Sequence, residues 1–309
     1  MKTHLYATAL VCAGALAAGA SPALATFPGE KGRILFDSNR EGEDIDIWSM
    51  RPDGSKAVVR QGLNLWIHDF QRGTHSPLTS GLESNVLPAW SRDGRRVLFA
   101  SNRGGDWDIY SQPADGSGAA DVLLKRPFDQ FPYMVSADGT LVYTEIHPST
   151  GRDLWTLAPD GKASPLRVTR FNELAAEFAP GREGAPRQVA YASDESGQSE
   201  IYVQSFPGDE HRVPVSPGGG IRPMWSPDGK DLFYVAGDHM MAVAVQPNGV
   251  FGAPRRLFDR SRFLVNDRFH SYGVSSDGKR FLMIQLDPGS APRQLNVILN
   301  WSADAAPPR

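Results

Sequence analysis

Seven histidines, a scatter of carboxylates and one recurring polar position are what this sequence offers for chemistry. The histidines stand at 4, 68, 75, 147, 211, 239 and 270. None makes the H-x-x-x-H or H-E-x-x-H spacing that places two imidazoles on one helix face for zinc. His147 and His270 instead fall in two longer loops, where residues distant in sequence can converge on a metal. The repeated Asp-Gly pairs lack the D-x-D-x-D-G order of a calcium loop, so their aspartates read as turn formers. Asp106 and Asp108, beside Arg103, read as hairpin acceptors or partners of that arginine. No G-x-S-x-G elbow is present to activate a serine. The sharpest signal is positional. Five residues before Trp90 and its equivalents stand Asn85, Gln130, Glu173, Gly220 and Phe269, with Arg222 and His270 close by. Asn85, Gln130, Glu173, Arg222 and His270 are therefore the candidate binding residues. No catalytic, metal-binding or cofactor residue is assigned.

The elements that must position them are strands. Residues 85–116 contain a short apolar run ending at Trp90, then Asp93-Gly94, Val97-Leu-Phe99, the break Asn102-Arg-Gly-Gly, Asp108-Ile-Tyr110 and Asp115-Gly116. Gly at the turns accepts the positive φ of tight hairpins, and the spacing predicts two-residue turns. No helical period fits. The unit recurs at Trp225-Ser-Pro-Asp228-Gly229, at Val135 to Tyr143 with Asp153-Leu-Trp155, at Val274 to Phe281, at Arg51 to Trp66, and in degenerate form at Phe178 to Tyr202. A period of about 40–50 residues predicts one four-stranded propeller blade per repeat.

These motifs resemble the TolB-type, WD-like propeller repeat, whose unit is close to P-x-W-S-P-D-G-K followed by a β run, S-x-R-x-G, D-I-Y and D-G. The resemblance is nearest to the propeller modules attached to some bacterial serine/threonine kinases. It is carried by Thr169 to Glu173, Ile201 to Pro207, Gly218 to Trp225 and Leu295 to Trp301, and spans about 30 to 301. It implies an all-β fold, a six-bladed β-propeller of four-stranded antiparallel blades. Strand counting gives six blades when the segment near 33–38 completes the last blade and closes the ring; seven blades is the competing count.

Residues 1–25 read as a secretory signal: Lys2, an apolar stretch from Leu5 to Ala20, and Ala23-Leu-Ala25 as the cleavage site. The cut after Ala25 removes Cys12, the one cysteine, so the mature chain forms no disulfide. Residues 26–32 read as a linker, 33–301 as a single propeller domain, and 302–309 as a disordered tail. The chain has 309 residues, 40% of them hydrophobic, and a net charge of −3, which supplies no basic excess for nucleic acid.

The expected location is periplasmic or secreted, with no transmembrane segment in the mature chain. The expected role is a non-catalytic propeller that binds a protein or peptide partner in the cell envelope, with a small-molecule ligand in the central channel as a further option. Trp107, Phe131, Tyr133 and Phe269 are the expected contact aromatics. The alternative, implied by related oligogalacturonide-lyase propellers, is a metal-dependent carbohydrate-active enzyme using His147, His270 and a channel glutamate.

Overall fold

Alternating apolar residues on short strands leave each sheet with two buried faces, and the fold follows from how those faces are shared. In the computed structural model, the described residues are 35–38, 46–51, 55–181, 187–208, 211–246, 249–263, 272–275, 278–284 and 295–299. Among them every named element is a strand. The first sheet holds β1 (Leu35–Ser38), β2 (Asp46–Met50), β3 (Lys56–Gln61), β4 (Asn64–Asp69) and β5 (Thr74–Pro77). The second holds β6 (Asn85–Trp90), β7 (Arg96–Gly104), β8 (Asp106–Pro113) and β9 (Asp121–Leu124). The third holds β10 (Asp129–Val135), β11 (Leu141–His147), β12 (Gly151–Leu157) and β13 (Ala163–Arg167). The fourth holds β14 (Glu173–Phe178), β15 (Gln188–Ser193), β16 (Glu200–Ser205) and β17 (Arg212–Pro214). The fifth holds β18 (Ile221–Trp225), β19 (Asp231–Ala236), β20 (His239–Ala244) and β21 (Arg255–Asp259). The sixth holds β22 (Tyr272–Val274), β23 (Arg280–Ile284) and β24 (Leu295–Leu299). Each sheet is an antiparallel meander in chain order, an architecture consistent with a β-propeller.

Five apolar clusters separate consecutive sheets. Val97 and Phe99 on β7 pack with Leu65 and Ile67 of the first sheet, while Leu98 between them packs with Leu141 and Tyr143 of the third. Val189 and Tyr191 on β15 face the third sheet, and Ala190 and Ala192 face the fifth. Phe233 and Val235 join Tyr272, Phe281 and Met283 between the fifth and sixth. The period of two sends alternate side chains to opposite neighbours, which is why the middle strands are apolar on both faces. At 25 cal/mol per Å² of apolar surface, each fully buried aromatic or aliphatic chain contributes about 1.5–3 kcal/mol.

The N-terminal strand departs from expectation. β1 hydrogen-bonds β2 in the first sheet, and only lies against β22 and β23 of the sixth. The backbone of β1 pairs in register with β2, from Leu35 opposite Ser49 to Ser38 opposite Asp46. β2 holds the first-strand position of its repeat, because it is followed by Arg51-Pro-Asp53-Gly54 as Trp90 is followed by Asp93-Gly94. β2 accordingly packs against β6, the first strand of the next sheet.

The Asp-Gly turns are also wider than expected. Ser91 and Arg96 close the first one, leaving four residues between them, with Gly94 at φ +64°. Asp93 accepts from the Ser91 hydroxyl at 2.6 Å and from the Arg95 N–H at 3.0 Å, and the Ser91 oxygen accepts from the Arg96 N–H at 2.9 Å. Ser136 with Asp138 and Ser226 with Asp228 repeat the arrangement. These hydrogen bonds, the serine hydroxyl's first, hold the Asp93 carboxyl below the usual carboxylate range.

Candidate functional site

The first strand of each sheet from the second to the fourth carries a candidate residue at its start, first in β6 and β14 and second in β10. Asn85, Gln130 and Glu173 are all fully buried, and Arg222 on β18 is nearly so. Each of the first three heads a polar row that crosses its sheet. Asn85 stands opposite Ser101, which stands opposite Asp108. Gln130, Glu145 and Asp153 form the second row, and Glu173, Ser193 and Glu200 the third. All nine are buried.

The head residues hold the connections that carry the chain from one sheet to the next. Asn85 donates to the carbonyls of Glu83 at 2.9 Å and Leu63 at 3.1 Å, and accepts from Arg103 at 2.9 Å. Gln130 accepts from the Arg126 N–H at 3.2 Å. Glu173 accepts from the Thr169 hydroxyl at 2.6 Å. Buried polar atoms in these rows without a hydrogen-bond partner among the described residues include Asp108 Oδ1, Gln130 Nε2, Asp153 Oδ1 and Glu173 Oε2. Burial, reinforced by Asp153 and Asp194, pushes the Glu173 carboxyl up to about 7.

Arg222 plays a different part. It occupies the repeat position of Leu87 and Ala175, and among the described residues these three are the non-glycine residues with positive φ, at +53° for Leu87, +54° for Ala175 and +58° for Arg222. All three lie within register shifts of the first strands. A bulge there bends the strand end. The Arg222 carbonyl accepts from the Tyr272 hydroxyl at 2.6 Å, tying the fifth sheet to the sixth. Gly220 leaves a gap in the polar series for a steric reason: an added Cβ would stand 2.5 Å from Ser216 Oγ and 3.0 Å from Ile201 Cγ1. His270 and Phe269 lie outside the described residues.

Three arginines cover the rows. Arg103 lies over Tyr110 at 4.6 Å, Arg126 over Trp155 at 4.1 Å, and Arg212 over Tyr202 at 3.9 Å. Arg126 also pairs with buried Glu145 at 2.6 Å, and Arg212 with Glu195 at 2.5 Å. Of the two roles expected for Asp108, hairpin acceptor or partner of Arg103, the second does not form: Arg103 turns to Asn85 and Ser101, and Lys125 meets Asp108 at 3.2 Å. The guanidinium is held on the aromatic faces of Phe99 and Tyr110.

Around these buried rows stand partly exposed apolar residues. Trp107 contacts Phe131 at 5.6 Å, and Phe128 meets the His147 ring edge-on at 4.4 Å. His147 Nδ1 is engaged by Ser149 at 2.9 Å. Tyr133, the other described contact aromatic, is buried in the cluster between the third and fourth sheets. Among the described residues no group of three or more metal-ligating side chains forms. Sequence reasoning found the head residues but missed Glu145, Asp153 and Glu200. Their signal was available in the acid that opens Asp108-Ile-Tyr110, Asp153-Leu-Trp155 and Glu200-Ile-Tyr202.

No family model matches the chain. It is 30% identical over 213 residues to the "uncharacterized peptidase YuxL" of Bacillus subtilis, an alignment covering 65% of this chain and 30% of that protein. It is 30% identical over 111 residues to the Tol-Pal system protein TolB of Anaeromyxobacter dehalogenans, covering 35% of this chain and 25% of TolB. The chain has TolB-like propeller homology at modest identity. It spans less than a third of the length of these curated relatives. Among solved structures, oligogalacturonate lyase from Vibrio parahaemolyticus superimposes with a TM-score of 0.61 at 12% identity, over 90% of this chain and 78% of the lyase. At that identity the likeness is one of fold.

Proposed function

We propose that the chain is an exported, non-catalytic six-bladed propeller that binds a protein or peptide partner through the end of the sheets where the polar rows lie. The observation that carries this reading is the apolar rim at that end. Leu82 is 89% exposed and Leu63 42%, both on connections that Asn85 touches or follows. Trp107, Phe128 and Phe131 continue the rim over the second and third sheets. Exposed apolar clusters of this kind mark interaction surfaces, and aromatic side chains are their usual anchors. Asn85, Gln130, Glu173 and Arg222 support the rim from beneath, and His270 is assigned to the same end. The resemblance to kinase-appended propellers and to TolB enters as a shared scaffold role.

Closure of the six sheets into a ring is part of the reading, supported by β1 lying against β22 and β23. So is export: residues 1–25 act as a leader, and the mature chain begins at Thr26. No helix among the described residues is long and apolar enough to cross a membrane. The alternative, a metal-dependent carbohydrate-active enzyme, is favoured by nothing at the site beyond the likeness of fold.

The test is capture from an envelope fraction by three forms of the protein: wild type, Trp107→Ala with Phe131→Ala, and Asp115→Ala in an exposed turn at the other end. A partner held by wild type and Asp115→Ala but lost by the double variant is the expected result. A partner held equally by all three, or turnover of a glycan or peptide substrate, overturns the reading. Mass spectrometry of the exported chain checks the Thr26 start.

A further inference from the structure

The first sheet brings two histidines together that no sequence motif pairs. β4 and β5 form a hairpin in which His68 stands directly opposite His75. Directly opposite residues of antiparallel strands hold their Cβ atoms about 4.5–5.5 Å apart on one face. The two imidazole centroids are 5.9 Å apart and inclined at 52°, so the rings converge without stacking on each other. The surroundings fix both. The Trp66 indole stacks on His75 at 4.9 Å, within 6° of parallel, and Phe70 tilts against His68 at 4.7 Å. The turn beneath is tied by Asp69, which accepts from the N–H groups of Gln71 at 3.0 Å and Arg72 at 2.9 Å and pairs with Lys56 at 3.5 Å. His75 is exposed and His68 half-buried, so an ion can reach both.

We propose that His68 and His75 form a two-imidazole chelate for a borderline divalent cation, Zn²⁺, Ni²⁺ or Cu²⁺, on the outer edge of the first sheet. Two imidazoles sharing one tetrahedral ion through bonds of about 2.0–2.1 Å hold their ring centroids roughly 5 Å apart, a closer approach than the 5.9 Å here, which small side-chain rotations would supply. Imidazole ligands select these metals over the hard cations Ca²⁺ and Mg²⁺. The strand pairing and the two aromatic neighbours supply in advance the ordering that a flexible pair would lose on binding. The remaining coordination positions face solvent and take water. The bound ion would cross-link β4 to the edge strand β5. The site lies at the opposite end of β4 from Leu63 and Asn64, and is independent of the proposed partner surface.

The experiment is calorimetric titration of the untagged chain with Ni²⁺ and with Zn²⁺, with Ca²⁺ as the negative arm. The expected result is one saturable site for Ni²⁺ and Zn²⁺, lost in His68→Ala and in His75→Ala, and kept in His147→Ala and His211→Ala. Thermal melts without metal establish that each variant folds. Ni²⁺ then raises the Tm of wild type and leaves the Tm of His68→Ala and His75→Ala unmoved. Absence of saturable binding in wild type, or its retention in either of those two single variants, overturns the proposal.

Discussion

The side-chain amide of Gln112 reaches across the gap between two sheets to the carbonyl of Leu78, 2.7 Å away and 34 residues earlier in the chain. The same amide donates to Gly118 at 3.0 Å. Gln204, at the matching position of the fourth sheet, donates to Leu166 of the third at 3.4 Å. Two glutamines from the third strands of their sheets thus act as clasps between neighbours. Gln112→Leu strands a buried carbonyl, and its expected cost is about 1–3 kcal/mol, read as a shift in urea midpoint at constant slope.

Glu173 gives the fold a pH dependence with a definite sign. Its ordinary pKa is 4.5 and its folded value is about 7. Between these values the folded state holds the proton that the unfolded state has released, so stability falls as pH rises through that window. The loss is complete above pH 7 and absent below 4.5, and a shift of this size corresponds to roughly 3 kcal/mol. Glu173→Gln keeps an acceptor for Thr169 and removes the charge. Its stability is expected to stay level from pH 5 to 8 while that of wild type declines, as checked by denaturant melts at each pH.

Arg126 is the counter-charge of buried Glu145 and the cover of Trp155. Arg126→Ala leaves a buried carboxylate uncompensated, with an expected cost of about 3–5 kcal/mol. Glu145→Gln in the same chain recovers part of that cost, giving a coupling energy above about 0.5 kcal/mol in the double-mutant cycle. Trp155 fluorescence reports the loss of the guanidinium from its ring.

Gly220 is closed to any side chain by Ser216 and Ile201. Gly220→Ala is expected to cost about 1–3 kcal/mol through overpacking. Ser216→Gly removes the obstructing hydroxymethyl group together with the acceptor of the Ile201 N–H, and its cost is expected to be smaller in the Gly220→Ala chain than in wild type. Thermal melts of both single variants and the double variant check the coupling.

Much of the architecture was legible in the sequence because turn and strand chemistry are local. Asp93-Gly94 and its copies mark hairpins by their own hydrogen bonds, and Val97-Leu-Phe99 declares a two-faced strand by composition. The polar position shared by Asn85, Gln130 and Glu173 was legible by spacing alone. Their burial was not, because whether a strand end meets water depends on the connection that folds over it. The bulge residues Leu87, Ala175 and Arg222 carried no signal, since none is the glycine that a positive φ ordinarily calls for. The His68–His75 pairing was hidden because it depends on the register of one hairpin, and a slip of one residue would part the two rings.

Leu98 and Phe99, adjacent on β7, belong to different cores, and the same is true of Tyr191 with Ala192 and of Phe233 with Tyr234. The sheets are therefore links in series, and each inner one shares a core with the sheet before it and the sheet after it. Damage at one seam is felt by two sheets and is silent in those beyond them, as in stacked-repeat proteins. Loop sequences at one link can consequently drift without loosening distant ones. A scaffold with that mechanical independence can change what it grips, one sheet at a time, while the rest stays rigid.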